Sequence, residues 1–583
     1  MNILKVMMFI FVMSVVLQVA YGQHHIRCIP KERDALLQFK AAIVDRYGML
    51  SSWTTPHCCQ WEGIRCNNLD LHGEVHYESL SLGYNYQISS LSHLKYLNLA
   101  DNYYLDGSIP RELGNLSRLQ YLGLSGNSFE GYIPSQLGNL SNLHKLYLGG
   151  YHNALKIVTS NQWLSNLNSL THLSFYSISN FNSSPSWLRT IAKLPKLKEV
   201  SLIECGLSDH FLLSFNPSNF NFSTSLYVLR LSDNSFTQPM MFQWVSNTTS
   251  NLVELDLSWN LLKGLTSNHF GLAMNSLEHL YLSGNVFKGE DLKSFMNICT
   301  LRSLYMFGNN MTEDLSSILH NFSSGCVRYS LQELSLTYNQ ITGSIPDLST
   351  FSNLNTLDLY GNQLSGKILE GTRLPSHLEQ LSIGSNSLKG GVPKSFGSTC
   401  TLELLDFSFN SLSEDLAVIF NHLSGCSRYS LRELYLHQNK FNGTLPDFSI
   451  FSKLETLDLS DNRLNGVQKL LRNYTVLRSL NLFNNSLSEN LPAIMHHLSP
   501  SLQSLNLGMN QISGTLPSNL ATMFPSLKEL YLDSNKLNRT ISEDLRFPTE
   551  LEEQRDKEQG HCGVVGRSEV NLWYLNDDRK NKS

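Results

Sequence analysis

Four aspartates, Asp256, Asp358, Asp406 and Asp458, each stand between two apolar residues in short Leu-Asp-Leu or Leu-Asp-Phe segments. On an alternating strand such carboxylates point to one face, and two of them on one face is the least that a two-carboxylate hydrolase needs. They belong to separate segments, so the simpler reading is that each is a solvated strand residue. His496 and His497 are adjacent, but no companion ligand follows at metal spacing, which leaves them a solvated or packing role. A Gly-rich phosphate loop, a kinase catalytic loop, a nucleophile elbow and a His-Glu-x-x-His helix are all missing. The residues therefore encode neither an enzyme nor a cofactor site. The formal net charge is -5 over 583 residues, without a basic run, and this argues against nucleic acid as a partner.

The ten cysteines point to disulfides once export is established. Lys5, the apolar run Val6 to Ala20 and the small-residue exit Ala20-Tyr21-Gly22 make residues 1–22 a cleaved secretory signal. No later run of about 18 apolar residues follows, so the sequence as written carries no membrane helix. Cys28, Cys58, Cys59 and Cys66 surround the helix-like Pro30 to Ile43 and the tryptophans Trp53 and Trp61, which reads as a disulfide-pinned cap over 23–74 with three connectivities open. Cys299 with Cys326, and Cys400 with Cys426, lie about one structural turn apart, and stacking would bring each pair together. Cys562 has no obvious mate. Eleven Asn-x-Ser/Thr sequons fit an exported chain: Asn115, Asn139, Asn182, Asn221, Asn247, Asn310, Asn321, Asn442, Asn473, Asn484 and Asn538.

The elements that carry these residues are set by a repeat. Leu-x-Leu-x-x-Asn recurs with its asparagine at 102, 127, 234, 260, 285, 309, 339, 362, 386, 410, 439, 462, 485, 510 and 535, most steps being 23 to 26 residues. Weaker copies lie at Leu80 to Asn85, around Tyr147, at Phe175 and at Val200 to Cys205, where Cys takes the Asn place as a buried packing residue. About 19 turns result between 75 and 545. One copy cannot bury its apolar edge, whereas stacked copies share a core and a parallel sheet. The fold class is an α/β leucine-rich-repeat solenoid with a curved parallel β-sheet on its concave face. The recurring Asn lies just past each strand, where its amide can satisfy backbone groups of adjacent turns.

Beyond many strands stands Gly-x-Ile-Pro or a variant: Gly107 to Pro110, Gly131 to Pro134, Gly343 to Pro346, Gly443 to Pro446 and Gly514 to Pro517. Gly turns the chain and Pro ends pairing. The pattern resembles the plant-type leucine-rich repeat. Asn339, Asn362 and Asn410 recur at Asn439, Asn462 and Asn510, each shifted by 100, and Cys326-Val-Arg-Tyr-Ser-Leu returns as Cys426-Ser-Arg-Tyr-Ser-Leu, so a four-turn block is duplicated. The repeat stops near Arg546, and the tail 546–583 is charged and aperiodic. A bare apolar end after Leu545 would be an aggregation liability, so either the tail covers it or the chain is a truncated product; truncation is the preferred reading.

With no catalytic centre, function falls to the outward residues of the concave sheet. Between and just after the leucines stand Tyr147, Tyr176, Trp259, Tyr281, Tyr305, Phe307, Tyr338, Tyr360, Phe409, Tyr435, His437, Phe483 and Tyr531. Exposed aromatics bury large area at little entropic cost, so they serve as binding anchors. Tyr281, Tyr305, Phe307, Tyr338, Tyr360, Tyr435 and His437 are the expected ligand-binding residues.

The string Cys28, Leu36-Leu37-Gln38-Phe39-Lys40, Leu50-Ser51-Ser52-Trp53 and Cys58-Cys59-Gln60-Trp61-Glu62-Gly63-Ile64-Arg65-Cys66 closely resembles the N-terminal cap of plant leucine-rich-repeat receptors. Together with the repeats and Leu423 to Cys426, it is similar to the ectodomain of plant receptor-like proteins, especially the xylanase-elicitor-receptor group, over roughly 23 to 545. The resemblance implies pairing of Cys28 with Cys58 and of Cys59 with Cys66. It also implies a secreted or cell-surface protein that detects a protein, peptide or glycan ligand in defence, a co-receptor kinase supplying the signal and a membrane helix lying in a C-terminal region missing from this sequence. A secreted inhibitor similar to polygalacturonase-inhibiting proteins, or a nonfunctional receptor fragment, are the competing readings.

Overall fold

The computed structural model describes residues 94–548 apart from 103–105, 151–154, 158–161, 182–185, 211–224, 250, 265–268, 468–475 and 539–544, together with 37, 54–56, 64–65 and 68–70. The signal segment, the cap cysteines Cys28, Cys58, Cys59 and Cys66, the copy at Leu80 to Asn85, the sequons Asn182, Asn221 and Asn473, and the tail from 549 with Cys562 lie outside the described residues.

The chain divides into two compact units, Met1–Phe236 with Asn247–Leu252, and Thr237–Ser246 with Val253–Ser583. In the first, the strands Asn68–Asp70, Tyr96–Asn98, Tyr121–Tyr132, Lys145–Gly150, His172–Tyr176, Glu199–Ile203 and Val228–Arg230 pair in parallel, each with the next repeat. In the second, parallel pairing runs through Glu254–Asp256, His279–Tyr281, Ser303–Tyr305, Glu333–Ser335, Thr356–Asp358 and Gln380–Ser382. It continues through Leu404–Asp406, Glu433–Tyr435, Thr456–Asp458, Ser479–Asn481, Ser504–Asn506 and Glu529–Tyr531. Register is fixed by the central leucine: Leu255, Leu280, Leu304, Leu334, Leu357 and Leu381 face one another and are buried, while their neighbours look outward.

Behind the second unit's sheet the leucines meet a layer of phenylalanines. Phe242 packs edge-on to Phe270 at 5.0 Å and lies 6.0 Å from Phe287, all three buried. The far side carries short helices such as Leu315–Ser323 and Leu416–Leu423, each of which buries one apolar stripe. Their N-caps Asp314 and Asp415 accept from the amides of Ser316 and Ala417, both at 2.8 Å. This explains the glycine that opens the segments Gly343 to Pro346 and Gly443 to Pro446, whereas a Cβ on Gly107 or Gly131 would meet open space. Gly343 and Gly443 have φ of +88° and +84°, and a Cβ on either would fall on the carboxylate of Asp314 or Asp415, the cap of the preceding turn. Glycine is thus required by a neighbouring helix cap as well as by its own turn.

The asparagine ladder closes the edge of the sheet. Asn339 Nδ2 donates to the carbonyls of Met306 and Leu336 at 3.0 Å and of Thr337 at 3.1 Å, while its Oδ1 accepts from Asn309 N at 3.1 Å and Met311 N at 3.4 Å. The same arrangement recurs at Asn285, Asn362, Asn439, Asn462, Asn510 and Asn535. Each buried amide thereby satisfies carbonyls on two turns, groups that would otherwise each cost about 1–3 kcal/mol. Cys205, at an Asn position in the first unit, is a buried free thiol whose Sγ lies 3.3 Å from the Ile203 carbonyl, and burial pushes its pKa up to about 12.

The duplicated block is visible in three dimensions. Disulfides join Cys299 to Cys326 and Cys400 to Cys426, with Cα separations of 5.1 and 4.7 Å, each ending on the first residue of a short 3-10 turn, Cys326–Tyr329 or Cys426–Tyr429. Arg328 and Arg428 lie over the rings of the following Tyr329 and Tyr429 at 4.5 and 4.6 Å.

Candidate functional site

In the second unit each turn turns four residues away from the core before its asparagine. In the first strand these are Glu254, Asp256, Ser258 and Trp259, and successive strands align them into four columns. The fourth column takes the left-handed backbone at every turn, with φ of 53° at Trp259, 49° at Tyr338, 51° at Phe409 and 50° at Met509. Glycine is the undemanding occupant, and the chain uses it at Gly284, Gly308 and Gly361. A bulky residue there costs on the order of 1–3 kcal/mol. Yet Trp259 is 52%, Tyr338 56% and Phe409 45% exposed, so the fold gains little burial from them. Large rings held outward at unfavourable φ are a mark of function.

Trp259 and Tyr338 join Phe307 and Tyr360 of the third column in one continuous row of rings. Centroids are 6.0 Å apart for Trp259 and Phe307, 5.3 Å for Phe307 and Tyr338, and 5.6 Å for Tyr338 and Tyr360. The intervening glycines admit them: a Cβ on Gly284 would strike the Trp259 ring, and one on Gly361 would crowd Tyr338. Beside this row of rings Tyr281 and Tyr305 stack at 5.1 Å with planes 7° apart. The expected residues Tyr281, Tyr305, Phe307, Tyr338 and Tyr360 thus fall on neighbouring strands, joined by Trp259. Tyr435 and His437 lie farther along with Phe409, whose ring is 5.0 Å from His437. The first unit has its own stack, Tyr96 on Tyr121 at 4.1 Å and Tyr121 to Tyr147 at 5.5 Å.

Between the rings stand carboxylates that no sequence motif marks. Glu333 accepts from the Tyr305 hydroxyl and from Ser303 Oγ at 3.1 Å, and Glu433 accepts from the Tyr435 hydroxyl at 2.7 Å. Burial, and then these bonds to a carboxylate, hold both phenols above their ordinary pKa. The strand aspartates are not simply solvated. Oδ1 of Asp256, Asp358, Asp406 and Asp458 accepts the amide two residues on, at 2.8 to 3.1 Å. Burial also raises the Asp358 pKa above its usual value. Each therefore has a backbone to hold, which argues against a hydrolytic pair, and no group of three or more His, Cys, Asp or Glu among the described residues is placed for a metal.

From Glu254 to Asp461 the four columns contain Glu254, Asp256, Glu333, Asp358, Asp406, Glu433, Asp458 and Asp461 and neither Lys nor Arg. In the row before the face the guanidiniums are engaged, Arg302 with Glu278 at 3.1 Å and Arg432 with Glu455 at 2.8 Å, while Lys440 and Arg463 follow the ladder asparagines on the other border. This one-sided charge was legible in the sequence once outward positions were aligned by the Asn. Of the described sequons, Asn115, Asn139, Asn247, Asn310, Asn442, Asn484 and Asn538 are exposed and Asn321 half-buried. Asn484 stands in the fourth column itself, its amide 2.6 Å from Asp461 Oδ1.

Comparison with known proteins agrees with the repeat fold. A family model described as a leucine-rich repeat region matches residues 65–337, and a leucine rich repeat N-terminal domain matches 29–67. Further leucine rich repeats match 329–371, 430–449, 453–473, 476–498 and 501–523. Receptor-like protein EIX2 of Solanum lycopersicum is 40% identical over 359 residues, covering 59% of this chain and 34% of the relative. Receptor-like protein EIX1 of the same plant is 33% identical over 386 residues, covering 62% and 37%. The chain thus spans about a third of the length of these relatives. Among solved structures, a leucine-rich-repeat protein of Leptospira interrogans superposes with a TM-score of 0.50 at 24% identity, over 75% of this chain and 95% of that one, a likeness of fold. No helix among the described residues is long and apolar enough to cross a membrane.

Proposed function

The chain belongs to the leucine-rich-repeat receptor-like proteins of plants, and from that premise we propose that it is an extracellular recognition module of the defence or elicitor-perception kind. The open face of the second unit's sheet is its ligand surface, and Tyr281, Tyr305, Phe307, Tyr338, Tyr360, Tyr435 and His437 contact the ligand. The observation that carries the reading is the unbroken row of rings from Trp259 to Tyr360, two of whose members are held exposed at positive φ where glycine would serve the fold better. Rigid aromatic rows presented on a repeat scaffold suit protein, peptide or glycan ligands. The curated relatives it matches are receptor-like proteins, and a co-receptor kinase is the proposed source of signal. The disulfides Cys299–Cys326 and Cys400–Cys426 and the exposed sequons suit an oxidising, glycosylating route to the cell surface.

The test is capture from apoplastic fluid by the purified chain. A variant with Tyr281, Tyr305, Phe307 and Tyr360 changed to Ala, shown by circular dichroism to be folded, is expected to lose partners retained by the natural chain. Unchanged partners would remove this face as the site. Leaves with and without the gene, challenged with microbial culture filtrate, are expected to differ in oxidative burst; equal bursts would remove the defence role.

A further inference from the structure

Taking the sheet face as the ligand surface, we infer that the ligand presents an extended basic peptide segment, laid across the strands from Glu254–Asp256 to Thr456–Asp458. Two independent features of the same surface point to cationic side chains. The first is charge: eight carboxylates and neither Lys nor Arg stand in its outward columns, although the whole chain has 44 Lys and Arg against 49 Asp and Glu. Among the described residues no Lys or Arg side chain pairs with Glu333, Asp358, Asp406 or Glu433, while the guanidiniums in the row before the face are already engaged. These carboxylates are half-buried and held by neighbours, Asp406 through both oxygens, with the amide of Ser408 on Oδ1 and Ser382 Oγ at 3.4 Å on Oδ2, and a ligand cation can reach a poorly hydrated negative charge. The second is the row of rings, whose π-faces attract ammonium and guanidinium groups as well as apolar surface.

Geometry favours a peptide over a compact cation. Nine strands at about 4.8 Å make a track of roughly 40 Å. Carboxylates in the second column fall on alternate strands at Asp358, Asp406 and Asp458, about 10 Å apart. A peptide in the open polyproline II conformation, three residues per turn at about 3.1 Å each, brings every third side chain to one side about 9 Å apart, so each meets the next carboxylate. The aromatic end, Trp259 to Tyr360, takes apolar or guanidinium groups of the same segment, and the Asp406 to Asp461 end takes charge.

The probe is a fluorescein-labelled (Arg-Gly-Ser)4 peptide, about 40 Å when extended, with (Gln-Gly-Ser)4 and cellohexaose as controls, read by anisotropy or competition against the full chain. The basic peptide is expected to bind saturably, at least about tenfold tighter than the Gln peptide, a difference of about 1.4 kcal/mol. Raising salt from about 50 to 300 mM should weaken it several-fold through screening. The triple variant Asp358→Asn, Asp406→Asn, Asp458→Asn keeps each Oδ1 acceptor for the amide two residues on, and should lose about tenfold in affinity; a melting temperature no lower than that of the natural chain separates this from unfolding. Equal binding of the Arg and Gln peptides, indifference to the triple variant, or tighter binding of cellohexaose would each overturn the basic-peptide inference while leaving ligand recognition by this face intact. That broader reading fails separately, when the four-ring variant captures the same partners as the natural chain.

Discussion

Replacing Asn339 by Ala tests how the sheet edge is held, because every hydrogen bond of this side chain can be followed. Its three carbonyl partners keep another donor each: Met306 O retains Asn309 Nδ2 at 3.1 Å, Leu336 O retains Asn362 Nδ2 at 3.0 Å, and Thr337 O retains the Gly308 amide at 3.0 Å. The amides of Asn309 and Met311 have only Asn339 Oδ1. Asn339 is 6% exposed, so bulk water does not reach these amides in the natural chain. Two orphaned amides at about 1–3 kcal/mol each give a predicted loss of roughly 2–6 kcal/mol. Urea unfolding followed by far-ultraviolet circular dichroism measures it. Asn519→Ala, at an exposed position without a side-chain cap bond, is the control and should stay within about 0.5 kcal/mol. Asn339→Asp keeps the acceptor but turns its second oxygen toward three carbonyls, so it should be no better than Ala. The reasoning is refuted when Asn339→Ala shifts the midpoint no more than Asn519→Ala, or when Asp behaves like Asn.

Three further outcomes follow from the same structure. Burial raises the folded-state pKa of Asp358 above its usual 3.8, so its ionised form opposes folding; its contribution is fully favourable below that value and is lost as pH rises through the raised one. Asp358→Asn, which preserves the bond to the Tyr360 amide, should therefore be more stable than the natural chain at about pH 7 and equal to it near pH 3, by denaturant titration at both; equal stability at both pH values would refute it. Tyr338→Gly relieves about 1 kcal/mol of left-handed strain and forfeits ring contacts worth about 0.5–1.5 kcal/mol. Its stability should thus stay within about 1 kcal/mol of the natural chain while ligand capture falls; a loss above about 3 kcal/mol would make the ring structural. Cys205, buried with its pKa pushed up to about 12, should resist iodoacetamide at about pH 8 in the native protein and react in urea, as followed by mass spectrometry; rapid native labelling would contradict its burial.

Much of the fold was legible because its signal is local and repeated. Leu-x-Leu-x-x-Asn states the strand, its buried face and its edge in six residues, and Asn285 or Asn462 does what its chemistry suggested. The glycine of Gly-x-Ile-Pro was legible as a turn, but its second duty was not: Asp314, which Gly343 must clear, lies 29 residues earlier and meets it only through stacking. The candidate site divided in the same way. Aromatic positions could be read from spacing, whereas the backbone sign at Trp259, Tyr338 and Phe409, which makes their exposure informative, is a property of the folded turn. The aspartates were misjudged as simply solvated because hydrogen bonds such as that from Ser408 N to Asp406 Oδ1 depend on a bend that alternation does not describe.

Carboxylate footprinting of the chain bound to its apoplastic partner tests the central claim most directly. Carbodiimide labelling, read by mass spectrometry, should fall at least about threefold at Glu333, Asp358, Asp406, Glu433 and Asp458 on complex formation and stay unchanged at Glu112, Glu290 and Glu370 away from the sheet. Unchanged labelling on the sheet, with protection instead along the helices Leu315–Ser323 and Leu416–Leu423, would contradict it.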